Sequence, residues 1–385
     1  MSIAFIDLKA QRARLKDRID AAVARVLDHG GYVLGPEVAE FERQLAAFGA
    51  ARHALSCANG TDALALPLMA WGIGRGDAVF CPSFTFAATA EVVPWFDATP
   101  VFVDVLPDTY NIDPASLERA IAEVKARGEL VPRVVIAVDL FGQPADYPRI
   151  AAICRREGLK LIADSAQGFG CTLDGLHPLH WADVATTSFF PAKPLGAYGD
   201  GGAVLTDDDA LQETMLSLRV HGQGIDKYDN VRIGMNSRLD TIQAAILIEK
   251  LAVFADEIVW RNRIADRYAA GLAGVVRTPT VIDGGVSTWA QYTIEAEDRD
   301  GLQAHLKAAG VPTAIYYPRP LHTQTAYSAF PACGDGLPVT LDKAGRVISL
   351  PMHADLSESD QDLIVAAIRS FAAADSGHKS QAAGR

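Results

Sequence analysis

The chain has 385 residues, 49% hydrophobic and 21% charged, and carries a formal net charge of −12. That length and balance describe a globular enzyme of two domains with a sizeable core and exclude a fibrous or disordered chain. The acidic total argues against a general nucleic-acid or anionic-membrane binder, whose surfaces need clustered Lys and Arg, so an anionic ligand has to be held in a local pocket.

At the N-terminus "MSIAFIDLKAQRARLKDRID" turns charged after a few residues and lacks the apolar stretch of a signal peptide. No uninterrupted apolar run reaches the roughly 18 to 20 residues that cross a bilayer. A cytoplasmic protein without membrane partners is expected. Cys57, Cys81, Cys154, Cys171 and Cys333 are widely spaced with no CxxC pair, as reduced packing thiols would be.

Along the chain, "CANGTDALAL" is a small-residue turn running into a helical pattern, with Asn59 or Thr61 as cap. The N–H groups of such an end bind phosphate, though an ordinary capped helix reads the same way. Pro67, about two turns in, predicts a kink or a short first helix. From about residue 76, "DAVFCPS", "TPVFVDV", "RVVIAVDL", "LKLIADSA", "DVATTSFF" and "GGAVLT" read as buried strands. Between them "PASLERAIAEVKARG" and "PADYPRIAAICRREG" read as crossover helices. The alternation predicts an α/β fold with a mostly parallel sheet and helices on both faces, its ligand gathered at the strand C-terminal ends.

Residues 237 to 272 form a long helical pattern, after which "TWAQYTIEA" and "RVISLPM" read as strands, and "RDGLQAHLKAAG" and "SESDQDLIVAAIRSFAAA" as helices. This predicts a large domain over 1–250, a smaller α+β domain over 251–374, and a flexible tail over 375–385. "GIGRGD" precedes a strand and fails the context of a dinucleotide fingerprint. "HPLH" reads as a surface loop without the partners of a metal site.

Two strand ends carry the chemistry. Asp164 closes "LKLIAD", where it could meet a ligand or simply cap a turn. Lys193 lies in "TTSFFPAKPLGAYGDGGAVLT", a run of mostly small, aromatic and glycine residues, which predicts a buried amine. A desolvated lysine loses its preference for the charged form and can add to a carbonyl. Pyridoxal 5′-phosphate needs such a lysine, an acid facing its ring nitrogen, and a phosphate cup at a helix N-terminus. Lys193, Asp164 and the Gly60-Thr61-Asp62 turn with Ser188 fit those three roles.

The segments "FIDLKAQ", "GPEVAEFE", "CANGTDAL", "PSFTFAATAE", "DSAQGFG", "SFFPAKPLGAYGDGGA", "HGQ", "GMNSRLDTIQAAIL" and "SLPMH" span nearly the whole chain. Together they resemble the DegT/DnrJ/EryC1/StrS sugar-nucleotide aminotransferases, pyridoxal-phosphate enzymes of the aspartate-aminotransferase fold, fold type I. The resemblance implies Lys193 as the internal-aldimine lysine and proton shuttle, Asp164 at the pyridinium nitrogen and Gln167 on the ring-hydroxyl side. It also implies Phe86 stacked on the ring, and Gly60, Thr61 and Ser188 at the phosphate. Asn236 of "NSRL" would reach the phosphate of a neighbouring subunit, hence a homodimer. His221, Arg232, Arg238, Arg319 and His322 are candidates for the sugar nucleotide, with Arg238 and His322 foremost.

The implied reaction transfers an amine from glutamate, leaving 2-oxoglutarate, to a nucleotide-activated keto-sugar. The sequence looks most like the enzymes that aminate C3 of UDP-2-acetamido-2-deoxy-3-oxo-hexuronate; 4-keto-6-deoxy-sugar aminases share the cofactor segments. A non-catalytic sugar-nucleotide sensor would not need Lys193.

Overall fold

The computed structural model describes residues 3–226, 228–334 and 336–383, with side chains as far as residue 374. Helices α1 (Leu8–Arg14), α2 (Lys16–His29) and α3 (Pro36–Phe48) lead into β1 (His53–Cys57), α4 (Gly60–Ala70), β2 (Asp77–Pro82), α5 (Ala88–Glu91) and β3 (Thr99–Val103). Then come α6 (Pro114–Arg127), β4 (Val131–Val138), α7 (Tyr147–Glu157), β5 (Lys160–Asp164), β6 (Thr172–Leu173), β7 (Val184–Ser188) and β8 (Gly202–Thr206). The chain continues through α8 (Asp209–Leu218), α9 (Thr241–Leu272), β9 (Gly285–Val286), β10 (Tyr292–Glu295), α10 (Arg299–Ala308), α11 (Pro338–Arg346), β11 (Val347–Leu350) and α12 (Glu358–Ala383).

The central sheet has seven strands in the order β1-β8-β7-β5-β4-β2-β3. From β3 to β7 all neighbours pair parallel, and β8 alone runs antiparallel, to β7 on one side and β1 on the other. The six strands read from the sequence are all present. β1 was not anticipated, because "HALSC" contains no β-branched residue; it is a strand through its pairing with β8, from His53 opposite Thr206 to Cys57 opposite Gly202.

Local chemistry sets the helix ends. Asp113 accepts from the N–H groups of Ala115 and Ser116 to start α6 at Pro114, and Gly128 closes it at φ +69°. α7 is capped by Asp146 and closed by Gly158 at φ +71°. α4 is a single 11-residue helix that takes Pro67 into its interior, where a kink or a short first helix was expected. The long helix begins at Thr241 rather than 237, because Asn236 and Asp240 form β-bridges to Val220 and Val33.

Two apolar clusters share α9. Its Leu247, Leu251, Phe254 and Ile258 join the core built on the central sheet. Further along, Ile264, Ala265, Tyr268 and Leu272 pack with Tyr292 and Ile294 of β10, Ile348 and Leu350 of β11, and Ile364 and Ile368 of α12.

The "HPLH" segment is not a plain surface loop: His177 is buried and its Nδ1 accepts from Leu179 N–H at the start of a short 3-10 turn. All five cysteines are free and buried. Among the described residues no helix is long and apolar enough to cross a membrane. The flexible-tail expectation for 375–385 falls on residues whose side chains, or whole placement, lie outside those described.

Candidate active site

The site assembles at the C-terminal ends of β5 and β7, beside the start of α4. Asn59, extended at φ −166°, accepts from Asp62 N–H through its side chain at 2.8 Å and so is the cap of α4. Gly60 and Thr61 are left with helix-end N–H donors. A Cβ on Gly60 would lie 2.6 Å from Cβ of Ser188, and one on Gly202 would lie 2.3 Å from the Asn59 carbonyl. Glycine at both positions lets the helix end rest on β7 and β8, with the Ser188 hydroxyl against it. Asp62 itself is engaged elsewhere: Ser237 Oγ donates to it at 2.7 Å and accepts from Ala58 N–H at 3.1 Å, tying the "NSRL" segment to this turn. Asn236, next to that tie, is exposed.

Asp164, the last residue of β5, is 3% exposed. Thr89 Oγ1 donates to its Oδ2 at 2.9 Å and Ala166 N–H to its Oδ1 at 3.2 Å. Burial raises the pKa of this carboxyl, opposed by those two donors and by the positive charge of Lys193. Lys193 is partly accessible but densely surrounded, so burial lowers its pKa and the Asp164 charge works against that. Each charge therefore supports the other in a poorly solvated place.

Gln167 is locked. Its Oε1 accepts from Phe141 N–H at 2.7 Å and its Nε2 donates to the Tyr317 hydroxyl at 2.6 Å. Phe141 and Tyr317 hold φ of +59° and +56°, a region that non-glycine residues enter at a cost. Phe86, in the loop after β2, is 58% exposed and offers an open aromatic face close in sequence to Thr85, whose hydroxyl lies 3.2 Å from that of Thr89.

The sugar-nucleotide candidates fall into two groups. His322 is joined to β2's exit: its Nδ1 lies 2.7 Å from Ser83 Oγ, and burial lowers its pKa. Arg319 spends Nε and one terminal nitrogen on the carbonyl of Thr323, at 3.0 and 2.7 Å. His221, at φ +60°, and Arg232 lie exposed on the segment following α8. Arg238 is partly buried, and none of its side-chain donors has a partner among the described residues.

Sequence reasoning missed Thr89, Tyr317 and Asp139. Thr89 sits within "FTFAATAE", three residues beyond Phe86, and nothing in a single threonine marks it as a carboxylate donor. Asp139 follows β4 as Asp164 ends β5, a parallel that was legible. It accepts from Ser165 Oγ at 2.5 Å and from the Tyr147 hydroxyl at 2.7 Å, and burial pushes its pKa up to about 7.

A family model described as the DegT/DnrJ/EryC1/StrS aminotransferase family matches residues 13–369. The chain belongs to that family.

Among DegT/DnrJ/EryC1/StrS relatives, the UDP-2-acetamido-2-deoxy-3-oxo-D-glucuronate aminotransferase of Pseudomonas aeruginosa is 48% identical, covering 95% of this chain and 99% of its own. A family aminotransferase from Brucella abortus superposes with a TM-score of 0.95 at 55% identity, covering 96% of this chain and 99% of that one. NtdA from Bacillus subtilis, solved with bound PMP, superposes with a TM-score of 0.86 at 28% identity over 96% of this chain and 85% of its own. The fold is that of the pyridoxal-phosphate aminotransferases, and this chain is a pyridoxal-phosphate-dependent aminotransferase.

The residues present fit that cofactor. The N-terminus of α4, with the N–H groups of Gly60 and Thr61 packed beside the Ser188 hydroxyl, is suited to a phosphate. A buried carboxylate held by Thr89, an amine of lowered pKa and an open phenyl face complete the donor set.

Proposed function

We propose that this chain transfers the amine of glutamate to C3 of UDP-2-acetamido-2-deoxy-3-oxo-hexuronate, supplying an amino-sugar nucleotide for polysaccharide synthesis. The observation that carries the substrate is the 48% identity, over 95% of the chain, to an enzyme named for that keto-uronate. When bound, the cofactor supplies an electron sink conjugated to the reacting carbon.

The chain's own groups do the rest. Lys193 would hold the cofactor at rest and, as a free amine of lowered pKa, would carry the proton between the reacting carbons. Asp164, its Oδ2 fixed by Thr89, would keep a proton on the ring nitrogen. Gln167, held from both ends, faces the ring-hydroxyl side. Gly60, Thr61 and Ser188 would take the phosphate, and Phe86 would cover the ring. Arg238, with its donors uncommitted, is the group for the sugar carboxylate or diphosphate, with His221 and His322 nearby in role and Arg319 holding its own loop. Arg238→Ala should raise KM for the uronate substrate about tenfold or more, with a smaller change in KM for glutamate; equal KM values for the two proteins would remove Arg238 from this role.

The protein works as a homodimer in the cytoplasm in this reading. Exposed Asn236 reaches the partner's phosphate site, and the apolar Ile225, Tyr228 and Ile233, exposed at 110%, 84% and 90%, support a second copy packing there. We place the division between the large unit, 1–250, and the small one, 251–374, within α9; the change in what its side chains bury, between Ile258 and Ile264, supports a division in this helix.

The test compares turnover of the 3-oxo-uronate with that of a neutral 4-keto-6-deoxy-sugar nucleotide, each with glutamate. A higher kcat/KM for the uronate is expected. Preference for the neutral sugar would assign the chain to 4-amination instead.

A further inference from the structure

Lys250 is a charged residue that the reaction above does not use, yet it is 2% exposed, in the first half of α9. Burying an ammonium costs several kcal/mol unless it is well bound, so what it binds matters. Its Nζ donates to the carbonyl of Gly196 at 2.5 Å and stands 4.5 Å over the centre of the Tyr198 ring. Glu257, two turns further along α9, is the carboxylate whose charge acts on it. Two turns earlier, Gln243 Oε1 accepts from Tyr198 N–H at 2.9 Å. One face of α9 thus grips one short loop at two successive points.

That loop carries Lys193. It leaves the sheet after Ser188 and rejoins it at Gly202; within it Ala197 N–H donates to the Phe189 carbonyl at 2.7 Å and Lys193 N–H to the Phe190 carbonyl at 2.8 Å. Gly196 is pressed so close to the turn that a Cβ there would lie 2.5 Å from the Pro191 carbonyl. The Gly196 carbonyl that Lys250 holds is therefore packed against the residues that lead into Lys193. Filling the same space with an apolar side chain would spare the cost of desolvation but could not grip a carbonyl.

We propose that Lys250 is a positioning residue for Lys193: through Gly196 and Tyr198 it fixes the loop that aims the reactive amine, and α9 is the rigid rail on which that loop is mounted. The inference rests on Lys193 being the reactive amine.

The test uses Lys250→Met, Lys250→Arg and Gln243→Ala in the full chain. Hydrogen exchange on the cofactor-free protein should quicken in the peptide spanning 189–198 in Lys250→Met and stay at the wild-type rate in β4, β5 and β7. With pyridoxal phosphate added, the pH midpoint of the lysine-bound cofactor's absorbance band should move. Turnover should fall about tenfold or more in kcat, as expected when an interaction that orients the reacting group is lost, with KM for the sugar nucleotide little changed. Lys250→Arg should restore the band midpoint towards that of the wild type. A folded Lys250→Met protein with wild-type loop exchange, midpoint and kcat overturns the proposal, as does faster exchange spread evenly over the sheet. If Lys250→Met does not fold, Gln243→Ala decides: a weaker form of the same signature supports the inference and its absence overturns it. A wild-type protein that forms no such band fails the reading of Lys193 instead, whatever the exchange shows.

Discussion

In the proposed reaction Asp164 is useful only while its carboxylate stays charged in a place where burial works against it, and Thr89 is the side chain that holds its Oδ2. A hydrogen bond to a charged group contributes about 1.5–3 kcal/mol. Thr89→Val, nearly the same shape, should therefore lower kcat by roughly tenfold to a hundredfold, checked by steady-state kinetics beside a thermal melt that shows the variant still folded at the assay temperature. Asp139 gives a second prediction, on stability. Burial raises its folded pKa to about 7, well above the ordinary carboxylate range near roughly 4, so over that window the folded state keeps a proton that the unfolded chain releases. Its contribution to stability falls as pH rises through the window, with a slope approaching about 1.4 kcal/mol per pH unit, and is flat above it. His177, lowered to about 4 by burial, works in the opposite sense below its ordinary value, so the comparison is with Asp139→Asn. Urea melts should show the variant gaining on the wild type from about pH 4 to about pH 7. A difference independent of pH would contradict the assignment. At this scale the burial of Lys193 and Asp164 was readable because they sit at odds with their neighbours in sequence. Thr89 and Tyr317 were not, since a hydroxyl shows its use only once the fold gives it a partner.

The proposed phosphate site is a property of elements: α4 can begin where it does because two glycines remove the atoms that would keep it off β7 and β8. Gly60→Ala places a Cβ against Ser188 and should cost about 1–3 kcal/mol through overpacking, seen as a lower Tm. The half-saturating concentration of pyridoxal phosphate should also rise about tenfold or more, measured by absorbance titration. Unchanged cofactor binding in a folded variant would move the phosphate elsewhere. The strands "TPVFVDV", "RVVIAVDL" and "LKLIADSA" were plain as continuous apolar runs, because a parallel sheet buried on both faces requires them. β1 and the antiparallel direction of β8 were hidden, since pairing partners and strand direction are set by contacts distant in sequence. Pro67 left a kink or a short helix open; the propensity cost is real, but residues 63–68 of α4 are buried and tertiary packing carries the helix past the proline.

At the scale of the whole molecule, the exposed Ile225, Tyr228 and Ile233 lie on the segment between α8 and α9 that also bears Asn236. Ile233→Glu should shift the protein from twice the chain mass towards the chain mass in sedimentation velocity, and amine transfer should fall with the dimer fraction. A monomeric wild type with full activity would end the shared-site reading. The acidic charge excluded classes of partner, while the substrate is carried by similarity over the full length and by few visible groups, because the cofactor site is common to enzymes acting on different sugars. The most direct measurement therefore follows the nitrogen. With nitrogen-labelled glutamate and UDP-2-acetamido-2-deoxy-3-oxo-hexuronate, mass spectrometry should find the label in a 3-amino sugar nucleotide made by the wild type and not by Lys193→Ala. No labelled product from the wild type, or equal labelling by Lys193→Ala, would contradict the assignment.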